Sequence, residues 1–124
     1  MSILALVLCL VAHLGTTHDM ARAIELANVA ADIASTDASE SEALTLVTTC
    51  VHESRCHTNA VGDHGAARGA WQVHGRDVGA RAALARVRWS VRACGDLSLF
   101  AGFGRCGGDP AVLASLLDPA LPRR

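Results

Sequence analysis

The 124 residues contain no lysine and no tyrosine, and only two tryptophans and two phenylalanines. Without tyrosine, no phenolic hydrogen bond can be made anywhere in the chain. The missing lysine, beside abundant alanine and arginine, reflects base composition and carries no function. There is no zinc-finger spacing, aromatic-rich strand or unbroken basic run, which argues against nucleic acid as a partner. No internal repeat or low-complexity segment occurs, and strand signals are almost missing. The longest apolar run, residues 3–14, has twelve positions and is too short to span a bilayer.

What remains is a chain whose apolar half is built on alanine, leucine and valine, long enough for one modest core. A small, mainly α, single-domain protein follows. Residues 3–14 have the length of a leader's apolar region, yet no arginine precedes them and no small-x-small cleavage site follows. They read either as such a leader, the only segment that would touch a membrane if uncleaved, or as a buried N-terminal helix. Residues 15–124 form the domain proper. Val7 and Leu8 are too bulky before Cys9 for a lipoprotein site.

Charge is unevenly placed. One arginine stands against six acids in residues 1–50, and ten arginines against six acids in residues 51–124. An anionic polymer such as a bacterial cell wall fits that bias, and the arginines of residues 76–92 are candidates to hold it, or simply a solvated helix face. Setting Cys9 aside leaves Cys50, Cys56, Cys94 and Cys106, an even set with three possible pairings. Cys94 and Cys106 flank a short glycine-containing loop, so they are the first choice for a bridge, and an oxidising compartment would use it.

Helical spacing recurs along the chain. Thr16 or Thr17 can cap a helix over residues 19–34, with Ile24, Val29 and Ile33 or Ile24, Ala27, Ala31 and Ala34 as its apolar side. Ser39 and Glu42 make a capping box for a helix over residues 40–53, whose inner face is Ala43, Leu44, Val47, Cys50 and Val51. Turn formers concentrate in residues 54–69, predicting a compact loop with at most a small hairpin in residues 60–72. Residues 76–94 return to helix with Val78, Ala82, Ala85 and Trp89 on one side, and Gly95 ends it. Residues 99–110 are a second glycine-rich turn, after which Pro110 opens a last helix to Leu117.

The segment from residue 51 to residue 74, VHESRCHTNAVGDHGAARGAWQVH, carries the chemistry. Glu53-Ser54 at a helix end, then Asn59-Ala60-Val61, Gly65 and Gly69-Ala70-Trp71-Gln72, resembles the core motif of the lysozyme-like lytic transglycosylases, the family of soluble lytic transglycosylases and goose-type lysozymes. There a Glu-Ser pair precedes an Ala-Val segment, a Gly-Ala turn and a Gly-Leu-Met-Gln or Gly-Leu-Trp-Gln ending. Gln72 follows Glu53 by nineteen positions, matching members whose loop reads Gly-Asp-x-Gly. The resemblance implies a lysozyme-like fold with a catalytic helix. It also implies cleavage of the β-1,4 bond between N-acetylmuramic acid and N-acetylglucosamine in peptidoglycan glycan strands, in the cell envelope or outside the cell. One glutamate would act as acid and then base, assisted by the substrate's N-acetyl group. Attack by the sugar's 6-hydroxyl would give a 1,6-anhydro product, and attack by water a hydrolysed one.

The residues admit that chemistry on their own terms. A leaving glycosidic oxygen needs a proton, and an apolar wall of Val47, Cys50 and Val51 would keep Glu53 protonated. Asp63 is the one loop acid available as a second carboxylate, or it hydrogen-bonds its own turn. Ser54 orients Glu53, as the resemblance implies, or ends the helix. Trp71 offers a sugar-stacking face or closes the pocket. Gly65 and Gly69 allow positive dihedrals or close packing of the loop on the helix. Gln72 donates to substrate or to the loop's own carbonyls. The downstream Tyr-Asn-x-Gly segment of the family has Phe100 to Gly104 as its nearest counterpart, and Ala70 stands where leucine is usual.

No cofactor and no metal enters this reading. The rival from the residues is zinc, since Cys50, His52, Cys56, His57, His64 and His74 crowd together, but their spacing matches no closed ligand pattern. A further alternative is an inactive glycan-binding or structural module, one that works with a partner domain or within an envelope or phage assembly.

Overall fold

The computed structural model describes residues 1–118, and in it the helix α3 (Glu40–Ser54) is the axis on which the rest is hung. Its start is the expected capping box: Ser39 Oγ accepts from Glu42 N at 3.1 Å and Glu42 Oε1 accepts from Ser39 N at 2.9 Å. Every residue from Leu46 to Val51 is buried, so the helix is enclosed all round rather than on one stripe. Its two interior threonines stay satisfied by donating back to the helix, Thr48 to Leu44 O and Thr49 to Thr45 O.

Two helices precede it, α1 (Ile3–Leu14) and α2 (Met20–Ala34). The apolar N-terminal run packs on both α2 and α3, and Leu6 and Leu10 are fully buried in the same cluster as Leu46 and Val47. No helix among the described residues is long and apolar enough to cross a membrane. The cap of α2 is Asp19, not Thr16 or Thr17: its carboxylate accepts from Ala21 N and Arg22 N, while Thr17 Oγ1 takes the amide of Asp19. Its buried side is Leu26, Val29, Ala30 and Ile33, and Ile24 is exposed. Val29 and Ile33 of one expected side are therefore buried, and Ile24 does not join them.

The glycine-rich loop is more ordered than expected. β1 (Val61–Gly62), β2 (Ala67–Arg68) and β3 (Val73–His74) form an antiparallel sheet of three two-residue strands, with a single 3-10 turn over residues 63–65. The expected hairpin therefore gains a third strand and ends at His74. Beyond it, α4 (Ala80–Cys94) starts four residues later than the spacing suggested and buries Ala80, Ala83, Leu84 and Val87. Ala82, Ala85 and Trp89 lie off that face, and Trp89 is 49% exposed. Beside the buried face, Arg88 reaches Glu42 through Nε at 2.8 Å and Nη2 at 3.0 Å and Asp37 through Nη1 at 3.1 Å. That fork ties α4 to the start of α3.

Two short helices follow, α5 (Ser98–Ala101) and α6 (Pro110–Leu117), the latter capped by Asp109 with Pro110 in its first turn. Cys94 and Cys106 are bridged as expected, and a second disulfide joins Cys50 to Cys56. Cys9 is free and half-buried. Since Leu10 sits in the shared core, Leu10→Ala should cost about 2–5 kcal/mol. Urea unfolding followed by circular dichroism measures this, and a loss below about 1 kcal/mol would mean that α1 does not share the core.

Candidate active site

Glu53 occupies the last turn of α3, and the backbone just beyond it is held in an unusual shape. Arg55 and Cys56 both adopt left-handed conformations, at φ 54° and 60°. Such residues cost on the order of 1 kcal/mol or more each and persist only where the surroundings hold them. Here three fastenings do so. Cys56 N returns to Cys50 O at 2.9 Å, and the disulfide joins the same two residues. Arg22 of α2 donates to Arg55 O at 2.5 Å and to Cys56 O at 3.4 Å, satisfying carbonyls that the helix end leaves open. Glu25, itself bound by Arg22, receives Thr58 N at 2.9 Å and Thr58 Oγ1 at 3.0 Å.

The Glu53 carboxyl borders a cleft of about 550 Å³. It is lined from the sheet region by Asp63, Gln72, Val73 and His74, and also by Arg86 of α4 together with Leu99, Phe100 and Phe103. Burial pushes the Glu53 carboxyl up to about 7 from an ordinary 4.5, and the neighbouring charge of Asp63 adds to the rise. A carboxyl with that affinity holds and releases a proton near neutrality, as an acid and base in turn requires. Asp63 is exposed, and its Oδ2 lies 3.1 Å from His74 Nε2. It is thus engaged by a histidine across the sheet rather than by its own turn.

The other expected residues are present but several do different work. Ser54 donates to Ala70 O at 2.6 Å, with a longer contact to Cys50 O, and so fastens the loop to α3 instead of touching the Glu53 carboxyl. Trp71 is only 2% exposed and its Nε1 donates to Leu46 O at 2.8 Å. It closes the floor of the cleft and is no stacking platform. Gln72 gives both its amide protons to the loop, to Ala60 O at 3.1 Å and Gly69 O at 3.0 Å, which favours its structural reading. Gly69 is left-handed, and a Cβ there would meet Val78 O at 3.1 Å, so its close approach is to the chain before α4 and not to α3. Gly65 is left-handed with open space around it. Joining Cys50 to Cys56 removes both thiols from the zinc alternative.

Of the other lining residues, Leu99 was not singled out from sequence, while His74 entered only as a zinc candidate, Arg86 only as one of the arginines of residues 76–92, and Phe103 only within the Phe100 to Gly104 counterpart. They come from β3, α4, α5 and the second glycine-rich turn, and no local motif links segments so far apart. The Phe100 to Gly104 counterpart does line the same cleft as Glu53. Comparison with family models, curated proteins and solved structures finds no match to this chain.

A carboxyl raised in the folded state binds its proton more tightly there than in the unfolded chain, so its contribution to stability is full below pH 4.5 and is lost as pH rises through about 7. Glu53→Gln removes that loss. The variant should match the parent at pH 4 and exceed it by about 1–3 kcal/mol at pH 8, as read by denaturant unfolding at both values. An unchanged difference across that range would place the carboxyl in water.

Proposed function

We propose that the protein is a peptidoglycan-cleaving glycosidase of lysozyme-like type, acting on the β-1,4 bond between N-acetylmuramic acid and N-acetylglucosamine. The observation that carries the reading is Glu53: a carboxyl raised to about 7 at the edge of a sugar-sized cleft. The motif of residues 53–72 supplies the substrate class, and the two disulfides suit an oxidising compartment such as the cell envelope or the exterior. No cofactor or metal is needed for this chemistry.

In the first step the Glu53 carboxyl gives its proton to the glycosidic oxygen as the bond to the muramic C1 breaks. The carbonyl oxygen of the 2-N-acetyl group bonds C1, leaving an oxazolinium ion and a Glu53 carboxylate. That carboxylate then takes a proton from the attacking hydroxyl, which opens the oxazoline and restores the acid. If the hydroxyl is the sugar's own O6, the product is a 1,6-anhydro end; if it is water, a reducing end. The charge of Asp63 favours the first step by holding the proton on Glu53. Its pairing with His74 leaves one oxygen outside that contact, a place where water can be held.

One observation favours a second reading. The cleft that Glu53 borders is lined by Phe100 and Phe103, which cannot give a sugar the phenolic hydrogen bond of the family's tyrosine. A glycan-binding or structural module without turnover, working beside a partner domain or in an envelope assembly, would have such a wall.

Incubation with purified sacculi and mass analysis of soluble muropeptides separates these. The parent should release them, anhydro products being lighter by one water than hydrolysed ones, and Glu53→Gln should lower the rate about 10²–10⁴-fold. The parent's rate should fall as pH rises through about 7, because the first step uses the protonated form. Release by the variant equal to the parent's would remove Glu53 from the chemistry, and pelleting with cell walls in the absence of any release would support the binding module.

A further inference from the structure

The arginines of residues 76–92 do not share one role. Arg81 is exposed and pairs with Asp77 at 3.5 Å, Arg88 is committed to Glu42 and Asp37, and Arg92 borders a separate hollow between α3, α4 and α6. Arg86 alone among them borders the cleft that holds Glu53. Its guanidinium carbon lies 5.4 Å from the ring centre of Trp89, one turn further along α4, and no carboxylate among the described residues pairs with it. The ring restricts the arginine's rotamers and attracts its charge without neutralising it. This also accounts for an otherwise unexplained exposed tryptophan.

Arg86 is a half-buried residue on the border of the cleft whose guanidinium has no carboxylate partner among the described residues, and such a planar fork suits a carboxylate brought by a ligand. The two acids of the cleft do not supply one: neither Glu53 nor Asp63 forms an ion pair with Arg86, and Asp63 faces His74 instead. We infer that Arg86 is the specificity-determining cation of the cleft, recognising a carboxylate that the substrate carries beside the scissile bond, on the muramic lactyl ether or on its peptide stem. This rests on the glycosidase reading above and refines it, since a neutral β-1,4 polymer of N-acetylglucosamine has no such group.

Binding by calorimetry to the Glu53→Gln chain, in which glycans survive, tests the assignment. Four probes are used: a tetrasaccharide of alternating N-acetylglucosamine and N-acetylmuramic acid with free lactyl carboxylates, its methyl ester, its peptide-bearing form, and chitotetraose. At least one acidic probe should bind about tenfold or more tighter than the ester and chitotetraose. Adding Arg86→Gln should abolish that preference and leave the neutral probes unchanged, while Arg86→Lys should keep part of it and Trp89→Ala should weaken it. The acidic probe that loses affinity identifies the lactyl or the stem carboxylate as the source. An acid preference that survives Arg86→Gln, or no acid preference in the parent chain, overturns the role of Arg86 alone. Failure of all four probes to bind a chain that still melts cooperatively overturns the glycan reading itself, and Arg86 with it.

Discussion

A carboxyl keeps its proton at neutral pH only if it is denied water, and a helix end is a poor place to deny it, because the chain there frays and its carbonyls seek solvent. The closure of α3 is therefore the constraint on which the site depends. Two successive left-handed residues turn the backbone sharply after Ser54, and Arg22, the Cys50 to Cys56 disulfide and the Ser54 to Ala70 bond each hold a different part of that turn. Trp71 then seals the region below, anchored to Leu46 O in the middle of the same helix. The loop that follows the acid is thus bound back to the helix that presents it.

Three glutamates of this chain show how far surroundings decide the behaviour of one side chain. At Glu42, hydrogen bonds from Arg88 and from the Ser39 amide hold the carboxyl down to about 2 against a smaller desolvation effect. At Glu25, desolvation pushes upward, but hydrogen bonds from Thr58 and Arg22 together outweigh it and the result is again about 2. Glu53 shares the desolvation and lacks the cation, so it rises instead. The first two contribute stability that is present above pH 4.5 and lost as pH falls toward 2, and the third contributes with the opposite sign. Pairing lowers the first two carboxyls and ties helices together, and the acid without a cation is the one that rises.

Local signals were legible wherever the interaction was local. The Ser39 and Glu42 capping box, the Gly95 stop, the Pro110 start and the Cys94 to Cys106 bridge each involve groups close in sequence, and the structure contains all four. Reading failed where a face had to be chosen. Ile24 and Trp89 fit helical periodicity, yet the core is built from Leu26, Val29, Ala30 and Ile33 and from Ala80, Ala83, Leu84 and Val87, leaving both residues outside. Within the motif the residue types were visible and their partners were not. Ser54 and Gln72 could equally have met the acid or a substrate, and only the fold of the loop onto α3 sends them to backbone carbonyls.

By itself, then, the amino-acid order determined a mainly helical chain with a glutamate at the end of an apolar helix and a loop rich in left-handed positions, because caps, periodicity and turns act over a few residues. The tertiary structure alone decided that this glutamate is sheltered, that its cleft is also lined by a turn some fifty residues away, and that Arg86 borders the same space. Desolvation and cleft shape are properties of surfaces brought together from distant segments. No spacing within one segment encodes them.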